Sequence, residues 1–455
     1  MSKTGWFILI ILCTAVAGWA IYRSLQIESQ YTADLRNRIV GARLQQDHAA
    51  PYFYRWRPGD PIRYYDPCNI AVADSNIAVS NITATPFLHH LLEPIAGWPQ
   101  RTISRIWLVI EWLVFAACIG MALSIAGSRL QKALVLAVGA TFLLTEAWRS
   151  HIATGQYYLL VPFLALLFYQ CFRKAGEPLS AATAGLVAIV LVMIRPNSIV
   201  FFLPFLFVIG KFPARSIALF FIPVTLLTGL TLTSPRERAF WSDYKKAMIE
   251  DIRLHQSLDV NAPPSHSGGY YSSWEGWHQA DIEKSYAAHP YNAHSEHGNV
   301  FVLFAKVTQS RLSLAVLNGS ALLLMVLLTG YFMWQRKTRG HADLHTIAIF
   351  GYCLYMISDL FSPIWRFQYN TLQWLFPVLL AAAYYRPEQR KWFVWLGLAL
   401  LLNILNIPFM KMEHTIGEYM MLIVLLALSY SRPPHPAVPG GPLQRPSNSK
   451  DHSDR

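Results

Sequence analysis

The segment from Gln30 to Gln46, QYTADLRNRIVGARLQQ, carries the first side chains that could do chemistry. Asp34 and Arg38 stand four residues apart, which places them on the same face of a helix. A positioned carboxylate can take a proton from a hydroxyl group as a general base. The same spacing is that of an exposed helical salt bridge, worth only a few tenths of a kcal/mol. Spacing alone favours the salt bridge, so both interpretations stay open.

Two further groups of titratable residues stand out. Asp359 lies in an apolar segment, where a carboxylate is costly and often functional, and it is the alternative acid–base residue. A histidine-rich stretch contains His266, His278, His289, His294 and His297. His294 and His297 flank Glu296 like a metal cluster, but no third ligand is clear. We therefore expect a solvated or ligand-binding loop there and no metal site.

Long apolar segments must position these residues. Only 14% of the 455 residues are charged, whereas a soluble globular chain carries about 25%. The apolar segments are 5–22, 103–126, 133–148, 157–172, 179–194, 198–210, 216–233, 312–334, 345–363, 370–385, 392–409 and 416–430. They predict an all-α polytopic membrane protein with about 12 transmembrane helices. The segments that flank Arg195-Pro196-Asn197 predict either two tilted helices or one broken re-entrant unit.

Lysine and arginine are distributed unevenly between the short connections, which indicates the orientation. With the N-terminus inside, the inside connections hold Arg129, Lys132, Arg173, Lys174, Lys211, Arg215, Arg336, Lys337, Arg339, Arg386, Arg390 and Lys391. The outside connections hold only Arg149, Arg195, Arg366 and Lys411. Both termini are therefore predicted to be cytoplasmic. The net charge of +12 follows from this bias and does not indicate nucleic-acid binding.

The chain divides into six parts on this topology. Residues 1–22 are predicted to form a signal-anchor span, with a cleaved signal peptide as the alternative. The other parts are an extracytoplasmic loop at 23–102, transmembrane helices at 103–233, a second extracytoplasmic loop at 234–311, transmembrane helices at 312–430 and a disordered cytoplasmic tail at 431–455.

The first extracytoplasmic loop is predicted to begin with a short amphipathic helix. One face carries Tyr31, Leu35, Ile39 and Ala42, and the other carries Asp34, Arg38 and Gln45. Such a helix should lie along the membrane surface and hold Asp34 near the lipid headgroups. The aromatic residues between Tyr52 and Tyr65 then indicate a folded cap or a binding surface. Aromatic faces with arginine suit a sugar and a phosphate.

One stretch, from Gly155 to Val208, resembles a block of the GT-C polytopic glycosyltransferases that use polyprenyl-phosphate sugars. It is most similar to the DUF2029 or GT87 group, which includes polyprenol-phosphate-mannose-dependent mannosyltransferases. The block opens with Gly-Gln before an apolar helix, passes a basic turn and closes with a basic residue and Pro. The matching positions are Gly155-Gln156, Arg173-Lys174 and Arg195-Pro196.

Other regions resemble the same family in the same order. The family's first outer loop opens with an Asp, continues with small residues and ends in Pro-Tyr. The matching positions are Asp34, Gly41-Ala42 and Pro51-Tyr52, followed by Thr85-Pro86-Phe87 and Leu92-Glu93-Pro94 for an aromatic-Pro stretch and a Pro-Leu-rich helix. Late in the chain, Ser362-Pro363 and Trp365 match, but the family's following His is missing here. That departure leaves the identity of the base open.

The resemblance implies a GT-C-like bundle that moves a sugar, mannose or another hexose, from a polyprenyl-phosphate donor to an extracytoplasmic glycolipid or glycan acceptor. It implies inversion in a single displacement, without a cofactor or metal, in the cell membrane. It identifies Asp34 as the catalytic residue. The candidates for binding the donor phosphate and sugar are Arg366, Arg195, Arg149, Gln156 and Gln368, each of which is also explained as an ordinary polar residue at a helix end.

Two other function classes are compatible with the sequence. One is a transporter or flippase of a lipid-linked saccharide, and the other is a non-catalytic membrane scaffold with an extracytoplasmic sensing cap. A transporter is expected to hold polar residues at mid-span in symmetry-related, interrupted helices, whereas most charges here stand at the outer ends. A scaffold needs no carboxylate on a surface helix beside aromatics and arginine. Both features favour the enzyme.

Overall fold

A computed structural model describes residues 2–28, 32–52, 54, 59–64, 84–257, 298–308, 310, 312–339, 343–364, 366–405 and 413–431. These residues contain helices and no strand. The helices before residue 210 are α1 (Lys3–Glu28), α2 (Ala33–Gln46), α3 (Pro86–Ala96), α4 (Gln100–Ile125), α5 (Arg129–Leu144), α6 (Glu146–Thr154), α7 (Leu160–Arg173), α8 (Pro178–Ile194), α9 (Ile199–Phe202) and α10 (Leu206–Ile209). The later helices are α11 (Ala214–Thr233), α12 (Pro235–Ser257), α13 (Val300–Thr308), α14 (Leu314–Arg339), α15 (Leu344–Leu360), α16 (Leu375–Ala383), α17 (Arg390–Leu402) and α18 (Glu413–Tyr430). Short 3-10 helices lie at Ile62–Tyr64, Pro196–Ser198, Leu203–Phe205, Gln368–Trp374 and Pro387–Gln389.

Several helices fit a membrane protein. In the described part of the chain, α1, α4, α11 and α14 are long and apolar enough to cross a membrane, and the pair α5 and α6, bent by 60°, would make a fifth span. In the apolar stretches of α1 and α11 only 6% of the residues are buried. Their apolar side chains therefore face outward, as lipid-contacting helices require. The all-helical membrane character is confirmed, whereas the number of about twelve spans stays a prediction.

Each predicted apolar segment overlaps helical structure. The predicted segments differ from the observed helices where a helix is interrupted. The segment 133–148 is divided at Thr145, whose hydroxyl donates to Phe142 O and accepts from Trp148 N, so that it caps the start of α6. The segment 198–210 consists of short α and 3-10 pieces. Helix α8 ends at Ile194 because Pro196 disfavours a helical residue before it and has no N–H to continue the helix.

Helices α15 and α16 lie at the centre of the bundle. All nine residues of α16 are buried, and so are most residues of α15. A helix that is apolar on every side belongs in the interior. Around this centre, α8 approaches α11 so closely that a Cβ on Gly185 would lie 1.9 Å from Phe220 O. Only glycine permits that separation.

The connections between helices meet in two sets, one at each end of the bundle. At one end the contacting pairs are Gln131–Tyr385, Ser216–Gly176 and Arg386–Asp343. At the other end they are Arg38–Gly155, Arg195–Asp359 and Asn299–Ser362. Connections predicted to share a side thus contact one another. The charge bias, and not these contacts, indicates which end faces the cytoplasm.

The described part of the segment between α1 and α4 packs against the beginning of α12. Val40 and Leu44 of α2 form one apolar cluster with Tyr52 and with Ala247 of α12. A helix is confirmed at this place as α2, but it is not amphipathic, because Arg38 and Gln45 of the expected polar face are buried together with Leu35 and Ile39. Gln45 is fully buried and donates to Pro86 O at 3.1 Å. Protein, rather than water, covers this face because α3 and the connection after α6 pack against it.

Candidate active site

Asp34 lies in the first turn of α2, where its position is fixed from both sides. The preceding Thr32 hydroxyl lies 3.0 Å from the Ser104 hydroxyl of α4. The following Leu35 is fully buried in an apolar cluster with Ile39. The carboxylate itself is only partly buried. It is therefore held rigidly yet stays within reach of a ligand.

Gln156 connects Asp34 to Arg38. Its Nε2 donates to Asp34 Oδ2, and its Oε1 accepts from Arg38 Nη2 at 2.6 Å. Arg38 Nη1 donates to Gly155 O at 3.1 Å. Among the described residues, Asp34 and Arg38 form no direct ion pair. The four-residue spacing thus produces an amide-bridged pair instead of the simple salt bridge that the sequence favoured.

Gly155 permits this arrangement. It ends α6 in the left-handed conformation, with φ of 68°, a region that side chains other than glycine rarely adopt. A Cβ at this position would lie 2.6 Å from Leu35 Cβ and 3.1 Å from Thr32 Cβ. The Gly-Gln pair recognised in the sequence therefore has two physical roles. Gly155 lets α2 approach, and Gln156 binds Asp34.

The electrostatics of Asp34 suit a base. Burial raises the pKa of its carboxyl, while the positive charge of Arg38 and the hydrogen bond from Gln156 lower it. The net direction is upward from the ordinary value of 3.8. A carboxylate with a raised pKa accepts a proton more readily and still ionises.

Asp359 lies in a separate, buried charge network. Its Oδ2 is 2.8 Å from Arg366 Nε, and its Oδ1 is 2.5 Å from Arg195 Nη2. Arg366 also pairs with Glu418 of α18, which in turn accepts from the Thr371 hydroxyl. Two arginines and two carboxylates thus neutralise each other. Such pairing is what a charge needs at this depth.

Arg366 and Arg195, the two predicted phosphate ligands in this network, differ in how far their side chains are exposed to a ligand. The Arg366 side chain is 3% exposed and is held between two carboxylates. The Arg195 side chain is 21% exposed. Arg195 is therefore the better placed of the two to meet an anion, whereas Arg366 orients Asp359.

Stacked tyrosine rings join the two groups of charges. Tyr157 stacks on Tyr158 at 5.0 Å, and Tyr158 stacks on Tyr369 at 5.3 Å between ring centroids. Arg38 lies over the Tyr157 ring at 4.8 Å, and Arg195 over the Tyr158 ring at 5.0 Å. Burial and then the negative charge of Asp34 raise the pKa of Tyr369, which lies near that carboxylate. Asp34 therefore lies near one ring of the stack, and Asp359 is joined to the stack through Arg195.

The remaining sequence-predicted residues are Arg149, Gln368 and the histidines. Arg149 is exposed on α6 and pairs with Glu146 at 3.3 Å. Gln368 is partly buried at the start of the 3-10 helix Gln368–Trp374. Trp365 and the five histidines between His266 and His297 lie outside the described residues. The expectation of no metal site there stays a prediction.

Three residues of this region escaped the sequence analysis, and two of them had a signal in the sequence. Tyr158 belongs to the Tyr-Tyr pair directly after Gly155-Gln156. Glu418 is the acidic residue in the apolar segment 416–430, a position where carboxylates are rare and often functional. Tyr369 gave no signal beyond its place near Ser362-Pro363. Its role follows only from stacking.

Comparison with known proteins gives one family. Residues 83–281, just under half of the chain, match the model of glycosyltransferase family 87. The matched region includes Arg149, Gln156 and Arg195 and leaves out Asp34 and Asp359. The match supports a glycosyltransferase family and glycosyltransferase activity. No curated protein and no solved structure gave a match.

Proposed function

We propose that this protein transfers a sugar, mannose or another hexose, from a polyprenyl-phosphate donor to a glycolipid or glycan acceptor. The observation that carries the proposal is the partly buried Asp34 carboxylate, held by Gln156 beside Arg38 and a tyrosine stack. The proposed setting is a GT-C-like bundle of about twelve spans with both termini in the cytoplasm. The charge bias supports that orientation, with the Asp34 site on the extracytoplasmic face.

The proposed reaction is a single displacement with inversion. Asp34 takes the proton of the acceptor hydroxyl, and the acceptor oxygen attacks the anomeric carbon opposite the phosphate. The new bond joins that carbon to the acceptor oxygen, and the old bond to the phosphate oxygen breaks. The polyprenyl phosphate leaves as a phosphate monoester with the bonding electrons. No strong general acid is required, because this leaving group is already stable as an anion.

A cation must offset the charge that develops on the leaving phosphate. Arg195 is best supported because its side chain is 21% exposed, whereas that of Arg366 is 3% exposed. Arg366 is proposed to hold Asp359 in place. Arg149, whose side chain is exposed, stays a candidate for binding the donor phosphate. Gln368 stays a candidate for a sugar hydroxyl. Gln156 acts on Asp34 instead of on the sugar in this proposal.

The experiment that tests the function supplies purified protein with a panel of radiolabelled polyprenyl-phosphate sugars and total membrane glycolipid. One labelled donor should give a labelled glycolipid product, and the reaction should fail with the matching nucleotide sugar. Heat-denatured protein serves as the inactive control. If no donor of the panel yields product above that control, the proposal is wrong.

A transporter or flippase of a lipid-linked saccharide is the second candidate. The buried network of Arg195, Asp359, Arg366 and Glu418 favours it, since charges beside interrupted helices are typical of transport sites. Reconstituted vesicles separate the two functions. Transfer of the labelled lipid between leaflets without a new glycosidic product would support transport, and product formation would support the enzyme.

A further inference from the structure

Glu111 and His151 form a fully buried pair beneath the candidate active site. Glu111 lies on α4 and His151 on α6, and His151 Nε2 is 2.8 Å from Glu111 Oε2. Their side chains are 1% and 0% exposed. Among the described residues, Glu111 Oε1 and His151 Nδ1 have no hydrogen-bond partner. An apolar pair of similar volume is often at least as stable as such a pair, so stability alone does not account for it.

Both helices of this pair hold Gln156 by its backbone. The carbonyl oxygen of His151 accepts hydrogen bonds from the N–H groups of Gly155 and Gln156, each at 3.1 Å. Trp107, one helical turn before Glu111 on α4, donates from Nε1 to Gln156 O at 3.1 Å. The position of α6 relative to α4 therefore decides where the Gln156 backbone lies.

The hydrogen bond between Glu111 and His151 is important for the position of α6 because this helix is short. It has nine residues and is bent by 60° from α5. Apolar contacts such as the Trp148–Phe115 ring pair also hold α6 against α4, but they have little directional preference. A hydrogen bond between two side chains permits much less movement, because it requires a set distance and angle.

We propose that Glu111 and His151 are positioning residues, which fix α6 against α4 and thereby hold Gln156 in contact with Asp34. Neither residue touches Asp34, and both act through Gln156. The catalytic meaning of this positioning rests on the proposed function. The positioning itself rests only on the contacts around Gln156.

The first test measures positioning without any reaction. Gln156→Cys is made in a variant whose five native cysteines are replaced, and the rate of thiol labelling by a membrane-permeant maleimide is recorded. Gln156 is 1% exposed, so labelling should be slow. Glu111→Leu with His151→Leu leaves no unpaired polar atom and should fold, yet labelling should become about tenfold faster because the connection opens locally. Glu111→Gln keeps an acceptor for His151 and should label at the slow rate.

A matched control removes a different buried contact. Tyr169 and Tyr384 hydroxyls lie 2.8 Å apart at the opposite end of the bundle. Tyr169→Phe should leave labelling at position 156 unchanged. Equal labelling rates in the double-leucine variant and its parent would overturn the proposal, whatever reaction the protein catalyses.

The second test uses the labelled donor that supports turnover. The double-leucine change should lower kcat with little change in the donor KM. The single Glu111→Gln change should keep most of the native kcat. Combined with Gln156→Leu, the double-leucine change should add little further loss, because both act through one contact. Full additivity would contradict positioning through Gln156. If the unaltered protein transfers no sugar, the proposed function fails, and the labelling result alone decides the positioning role.

Discussion

The side-chain amide of Gln156 donates a hydrogen bond to the carboxylate of Asp34 across 122 positions of sequence. The same amide accepts from Arg38, so one residue holds both members of the pair. A glutamate at this position would repel Asp34, and a leucine would leave the carboxylate and guanidinium without their bridge. The protonation of Asp34 therefore depends on a residue of another helix connection.

Gln156→Leu should move the acid limb of the kcat/KM profile to higher pH. The hydrogen bond from Gln156 lowers the pKa of Asp34, so its loss raises that pKa further above 3.8. A base works only when deprotonated, and activity is then lost at a higher pH as the solution is acidified. Arg38→Gln should shift the limb in the same direction. Gln170→Leu, the same change in an α7 residue that donates to Met121 O, should leave the profile in place. An unshifted limb in Gln156→Leu would argue against Asp34 as the base.

Asp34→Asn should lower turnover by about 10²–10⁴-fold, the usual contribution of a general base. Its thermal stability should change little, because asparagine can still accept from Gln156. Asp243→Asn, the same change in an exposed ion pair on α12, should keep normal turnover. Arg38→Gln should cost less turnover than Asp34→Asn. Wild-type rates in Asp34→Asn would transfer the base to Asp359.

Gly155→Ala should destabilise the folded protein markedly. The left-handed conformation costs a residue with a Cβ about 1–2 kcal/mol, and the new methyl would meet Leu35 Cβ at 2.6 Å. Gly176→Ala is the matched control, since a Cβ there meets no atom within 4 Å. Thermal unfolding in detergent measures both. Equal melting temperatures would mean that the α6–α2 contact differs from the one described.

Glu418→Ala should destabilise the fold by about 3–5 kcal/mol, because it leaves Arg366 buried with one carboxylate fewer. Lys246→Ala, which breaks the exposed Lys246–Asp243 pair, should cost less than about 1 kcal/mol. Glu418→Gln should fall between them, since its amide oxygen still accepts from Arg366. Chemical unfolding monitored by tryptophan fluorescence gives the comparison. A Glu418→Ala variant as stable as Lys246→Ala would show that water or another group satisfies Arg366.

Reporter fusions should read cytoplasmic at Gly176 and Arg339 and extracytoplasmic at Ser265. The bias of lysine and arginine toward one set of connections is the reason. The Ser216 hydroxyl at the start of α11, which follows a connection predicted to lie inside, donates to Gly176 O, so the Gly176 position agrees with this side. A cytoplasmic signal at Ser265 would reverse the orientation and remove Asp34 from the extracytoplasmic face.

The sequence by itself determined the helical membrane character and the place of Asp34 at the start of a helix. Both depend on local properties: apolar stretches of sufficient length, the recurrence of Leu35 and Ile39 on one face, and the spacing of Asp34 and Arg38. The resemblance to GT87 likewise depended on ordered local motifs, and the family match over 83–281 agrees with it. Helix breaks were less predictable, because the bend at Thr145 follows from a cap that forms only in the folded chain.

Only the tertiary structure decided which side chains meet. Gln156 was a candidate sugar ligand in the sequence and contacts Asp34 in the fold. Arg366 was a candidate phosphate ligand and lies between Asp359 and Glu418. The physical reason is that such contacts depend on how helices distant in sequence pack and rotate against one another. In a buried setting that packing also assigns each charge its partner, because an unpaired charge there is too costly to remain.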